Sequence, residues 1–185
     1  MKRFRMLAVF LVITFIAGGL MAPVHAGAAS AGEIDRDATK VLNKLYAKHP
    51  STKVLGEKAK GILVFPKITK GGFIVGGQYG EGDLWTDGKT VGYYSSVAVS
   101  YGLQAGVQTF GYAVFFMTDS AMKWLDRSDG WEIGTGPSIV VVDEGMARTL
   151  TTTTGQSEIY AFIFSQKGLM AGLGLQGTKI TKIRK

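Results

Sequence analysis

The chain has 185 residues, 46% of them apolar, with 21 Lys and Arg against 14 Asp and Glu and a formal net charge of +7. It has no cysteine and two histidines, which excludes a disulfide framework and leaves almost no ligands for a soft-metal site. Burial must hold the fold, and the length suits one ordinary domain.

The N-terminus reads as a secretory signal peptide. Met1-Lys2-Arg3-Phe4-Arg5 is basic, and Met6 to Met21 is an uncharged run. "APVHAGAAS" then offers small residues for cleavage after Ala26 or Ala28. The rival reading is a retained membrane anchor, but the run is short of the roughly 20 residues of a full span. With no cysteine the chain is not a lipoprotein, and Arg-Phe-Arg lacks a paired-arginine export signal. The expected organisation is a signal peptide over 1–26, a flexible lead over 27–32 and one domain over 33–185. The expected location is periplasmic or secreted, with room for peripheral attachment to a membrane. Cleavage after Ala26 leaves 159 residues and a charge of +4.

Glu33 to Lys48 predicts a helix. Ile34, Ala38, Val41, Leu42 and Leu45 recur at three- and four-residue steps, and Glu33, Asp35 and Asp37 suit the positive end of its dipole. His49-Pro50 ends it, and a shorter helix is expected over Thr52 to Lys60. From Gly61 the pattern turns to β-prone runs: "GILVFP", "GGFIVGGQY", "DLWTDGKTVGYYSSVAVSYGL", "VQTFGYAVFFMT", "SIVVVD" and "EIYAFIFSQ". Asp87-Gly88 marks a two-residue hairpin. Asp119 to Arg127 reads as an inserted helix opening on an Asp or Ser cap, closed by a turn at Ser128-Asp129-Gly130. The fold class is therefore α+β: N-terminal helices packed on a curled, mostly antiparallel, glycine-rich sheet or small barrel with one inserted helix.

Glycine recurs in "KGGFIVGGQYG" (70–80), "SYGLQAGVQ" (100–108) and "QKGLMAGLGLQG" (166–177). Glycine within a strand marks a bulge, a bend or a close backbone approach, so Gly76, Gly106 and Gly172 are expected at strand bends. A phosphate loop fits poorly. Gly172 to Gly177 matches G-x-G-x-x-G, but β-branched "TKITKIRK" follows where a helix is needed. Gly82 to Thr90 has one residue too many for a P-loop.

No catalytic constellation emerges. His25 lies in the signal region, and His49, before a proline, reads as a solvated cap. Glu81/Asp83 and Asp143/Glu144 read as solvated turn residues, and a calcium site would need more oxygen ligands. Ser95, Ser96 and Ser100 lack a nucleophile elbow. No enzyme activity, metal or cofactor is expected.

Charge placement is more informative. Arg36, Lys40, Lys44 and Lys48 fall at four-residue spacing on one helical stripe. Lys53, Lys58, Lys60, Lys67 and Lys70 continue it, so residues 33–70 carry nine basic against four acidic side chains. Lys179, Lys182, Arg184 and Lys185 form a second cluster. Such runs are either solvated faces or surfaces for anionic headgroups or another polyanion. Nucleic acid is not expected, since no stacking-aromatic motif accompanies the lysines.

"KAKGILVFPKITKGGFIVGGQYGEGDLW" (58–85) resembles the opening of the SYLF domain. "YYSSVAVSYGLQAGVQ" (93–108), "FFMTDSAMKWL" (115–125) and "FSQKGLMAGLGLQGTKI" (164–180) resemble its later blocks in order. The resemblance implies a lipid-binding module, with phosphoinositides as ligands in eukaryotic relatives and an actin-binding label on some members. It implies lipid-contact roles for Lys58, Lys60, Lys67 and Lys70, extended to Arg36, Lys40, Lys44 and Lys48 on the preceding helix. The departure from the multidomain pattern is a lone domain behind a signal peptide, so actin is not an expected partner. The expected partner is anionic membrane lipid. The alternative is a structural or adaptor role in the envelope, with another protein or a polysaccharide as partner.

Overall fold

The computed structural model describes residues 29–73, 75–101, 106–142, 157–168 and 175–185. The signal-peptide region, Gly172 and the Asp143/Glu144 pair lie outside them.

Helix α1 spans Ala31–Lys48, two residues earlier than its periodicity suggests. Ser30 is the reason. Its side chain accepts from the Glu33 N–H while the Glu33 carboxylate accepts from the Ser30 N–H at 2.8 Å, a capping box. Residues 29–32, expected as flexible lead, thus belong to the fold. Helix α2 spans Pro50–Lys58 with proline in its first turn, where a missing N–H costs nothing. His49 joins the two helices and is buried rather than solvated. Its N–H donates to Leu45 O, and its carbonyl accepts from the Thr52 N–H and hydroxyl.

The strands are β1 (Gly61–Phe73), β2 (Val75–Thr86), β3 (Lys89–Tyr101), β4 (Gly106–Phe116), β5 (Trp131–Glu132), β6 (Ile139–Val142), β7 (Ile159–Gly168) and β8 (Lys179–Ile183). They form one sheet in the order β5-β8-β3-β2-β1-β4-β7-β6, antiparallel except for the β6–β7 pair. Asp87 and Gly88 have φ of 52° and 72°, as a type I′ hairpin between β2 and β3 requires. The inserted helix is shorter than expected. Helix α3 (Asp119–Met122) is capped by the Thr118 hydroxyl on the Ala121 N–H and passes into a 3₁₀ turn at Lys123–Asp126.

The sheet curls into a half-barrel. Trp131 of β5 and Phe116 of β4 stand five strands apart in the order, about 24 Å in a flat sheet, yet their ring centroids are 5.8 Å apart. Tyr112 of β4 likewise donates to Ser96 Oγ of β3 at 2.7 Å across the interior. The concave core gathers Leu63, Phe65, Ile68, Leu84, Tyr112 and Trp131 among others. The opposite face packs Val64, Ala113, Phe115 and Phe162 beneath Ala38, Leu42, Leu45 and Leu55 of the helices.

Pro66 sits at the bend. The register slips between Val64 and Lys67 against β2 and between Phe65 and Ile68 against β4, so β1 bulges at its proline. The extra residue shifts the alternation, and the core row reads Leu63, Phe65, Ile68 rather than reaching Lys67. Glycines make room for the bulge. A Cβ on Gly80 would lie 2.5 Å from Lys67 O, and one on Gly111 would lie 2.8 Å from Pro66 O and would clash with the Phe164 ring. Gly177, the last glycine of the G-x-G-x-x-G stretch, occupies a turn with φ of 73° and leads into β8, not a helix.

Candidate lipid-contact surface

The α1 stripe has the geometry its spacing implies. Ile34, Ala38, Leu42 and Leu45 are buried, while Arg36, Lys40, Lys44 and Lys48 are exposed in a stripe beside that face. Twelve residues of helix set the stripe's ends about 18 Å apart. Arg36 also meets Asp37 at 3.3 Å, a solvent-exposed pair worth little.

The second lysine block does not form one surface. Lys58 ends α2, and Lys60 precedes β1, its N–H donating to Phe116 O at 2.7 Å. Lys67 stands at the middle of the same strand and Lys70 nearer its far end, about 23 and about 33 Å from Lys60 at the rise of an extended chain. They also face opposite sides. Lys67 stands opposite Glu81 on the helix-covered side, while Lys70, two residues after the core residue Ile68, aligns with Gln78 and Gln108 on the concave side.

Glu81 and Asp83 are not turn residues. Both lie inside β2, because the glycines around them serve the bend and not a loop. Asp83 is fully buried. Its Oδ2 accepts from the Trp85 indole N–H and, at 3.1 Å, from the Thr90 hydroxyl, whereas Oδ1 has no partner among the described residues. Burial pushes its carboxyl up to about 6 against the pull of those donors, and the nearby Asp35 carboxylate adds to the rise. Asp35 in turn accepts from the Tyr93 hydroxyl at 2.9 Å. Glu81 accepts from the Tyr79 hydroxyl, from Lys185 Nζ at 2.8 Å and from the Ala29 N–H at 3.2 Å. Burial alone would raise the Glu81 carboxyl, but these donors and the lysine's charge outweigh it and hold the group below its usual range.

An exposed apolar patch escaped sequence reasoning. Val75, Tyr79, Val97, Val99 and Val107 are 41–66% exposed on neighbouring strands. Thr69 aligns with Tyr79, Tyr79 with Val97 and Val97 with Lys179 on one side; Thr69 with Thr109 and Thr109 with Lys167 on the other. A row across the sheet thus has Val97, Tyr79, Thr69 and Thr109 inside and lysines at both ends, while Val99 and Val107 stand in the next row, aligned with Gly77 and Gly71. Single valines in β-prone runs carry no label of exposure, so only the register reveals the row.

Among the described residues no group of three or more His, Cys, Asp or Glu could hold a metal ion, and no helix is long and apolar enough to cross a membrane. A family model named Ysc84 and described as "Las17-binding protein actin regulator" matches residues 97–185. Residues 97–185 thus carry the match to the Ysc84 (SYLF) domain. The match opens within β3, yet β1 and β2 occupy the middle of the same sheet, so the folded unit of this chain reaches well upstream of the matched residues. No curated protein matches the chain.

Proposed function

We propose that this protein is an exported, non-enzymatic module that binds anionic lipid headgroups at a membrane surface. The observation that carries the reading is the exposed stripe Arg36, Lys40, Lys44 and Lys48, mounted on a helix whose other face is anchored in the core. A rigid row of cations gains about 1 kcal/mol per basic residue near an anionic surface. The exposed patch of Val75, Tyr79, Val97, Val99 and Val107 supplies apolar area of the kind interfacial contact uses. The family description names Las17 binding and actin regulation. An exported chain would meet neither, so lipid is the partner we assign.

The test is co-sedimentation of the mature chain with neutral vesicles and with vesicles containing anionic lipid. Binding to the anionic vesicles alone, weakening as salt rises and lost in Lys40→Glu/Lys44→Glu/Lys48→Glu, supports the reading. A folded triple variant that binds as the parent does overturns the assignment to this stripe. No binding to either vesicle favours the envelope-adaptor alternative.

A further inference from the structure

Ala29 is held in a cleft lined by charged side chains of both signs. The Ala29 N–H donates to Glu81 Oε2 at 3.2 Å, and Lys185 Nζ bridges Glu81 Oε2 and Ala29 O, each at 2.8 Å. The Lys185–Glu81 pair is itself buried, with side chains 9% and 8% exposed. A cavity of about 270 Å³ opens beside it, lined by Ala29, Glu33, Asp37, Lys67, Tyr79 and Glu81 among others. Its wall carries three carboxylates against one ammonium, with Lys185 over Glu81 and Arg36 on Asp37 completing the charged neighbours.

Ala29 is also the residue that follows the second of the two small-residue cleavage positions, Ala26-Gly27-Ala28. We infer that processing occurs after Ala28 and that the new α-ammonium of Ala29 pairs with Glu81, locking α1 onto β2. The inference rests on the export reading above. Hydrolysis of the Ala28–Ala29 bond by an envelope peptidase consumes one water. It leaves a carboxylate on the released leader and an amine on Ala29 that takes up a proton. One neutral donor becomes a cation with three N–H groups, placed where a carboxylate already accepts. Cleavage after Ala26 would instead keep a neutral peptide N–H at this position. The helix dipole and the Lys185 ammonium on the same Glu81 oxygen oppose a cation just before the cap, and the carboxylates of Glu33 and Asp37 in the first two turns offset them.

Two measurements test the lock. The intact mass of the exported protein is expected to begin at Ala29. A start at Gly27 overturns the lock while leaving export standing, and an unprocessed, membrane-embedded chain overturns both. Separately, chains starting at Ala29 and at Gly27 are made by scarless removal of a fusion partner and melted at pH 7. The Ala29 form is expected to melt higher by roughly 2–4 °C, the shift of a single added ion pair in a domain of this size. That gap should vanish in Glu81→Gln and after acetylation of the amine. It should also fade as pH rises through the amine's titration, because the charged form is the one bound. Equal melting of the two forms, or a gap that survives Glu81→Gln, overturns the inference.

Discussion

Replacing Asp83 by Asn should make the protein more stable at neutral pH and flatten part of its pH dependence. The carboxyl's folded value, about 6, exceeds its ordinary 3.8, so the folded state holds the proton more tightly than the unfolded chain does. Below the ordinary value both states are protonated and the group contributes its full stability. As pH rises through about 6 the folded state must ionise a buried carboxyl facing Asp35, and that stability is lost. At about 1.4 kcal/mol per pH unit the difference is at most about 3 kcal/mol, and partial solvent screening brings it to about 1–2 kcal/mol. The amide suits the site. Its oxygen keeps the bonds from Trp85 and Thr90, and its NH₂ occupies the partnerless position beside Asp35. Urea unfolding of parent and Asp83→Asn at pH 4, 5, 6 and 7.5 gives the difference curve, in which other carboxylates cancel. A difference that stays constant across that range, or an Asn variant that is the less stable at pH 7.5, refutes the reasoning.

Gly111→Ala and Gly80→Ala should each cost about 1–3 kcal/mol in thermal unfolding, because the new methyl meets backbone oxygens at the bulge. Gly77→Ala, whose Cβ would find only Ala98 O at 3.9 Å, is the control and should be close to neutral. Leu42→Ala should cost about 2–5 kcal/mol by opening a cavity under α1, read as a shifted urea midpoint. In vesicle binding, Lys58→Glu/Lys60→Glu should weaken association less than reversal of the α1 stripe, since those two lysines lie apart from Lys67 and Lys70.

The fold was largely legible because its signals are local. Period-3.6 apolar spacing gave α1, Asp-Gly gave the hairpin, and β-branched runs gave most strands. β5 has two residues and shows no period, and β8 lies in a lysine-rich tail, so neither stood out. The surface was less legible because it depends on pairing across the sheet. A glycine beside an acidic residue looks like a turn whether or not the chain is bending in mid-strand, and that similarity hid the burial of Asp83 and the ion pair of half-buried Glu81. The lysine block looked continuous because sequence distance carries no trace of the Pro66 bulge, which changes the side on which a side chain emerges.

Chain order and sheet order differ in a way that bears on assembly. β2 and β3 join one flank of β1 in succession and β4 the other, each beside a strand already formed. β5 and β6 have no such neighbour when they are made. β5 waits for β8 and β6 for β7, and these late strands each enter between a long strand and a short outer one. β7 and β8 therefore act as twin keystones. A polypeptide delivered N-terminus first, by ribosome or by translocon, holds a half-built sheet until its last segment arrives. Removing Lys179 to Lys185 would leave Trp131 without its pairing partner and Glu81 without its lysine, losing one flank of the arch and its clasp together.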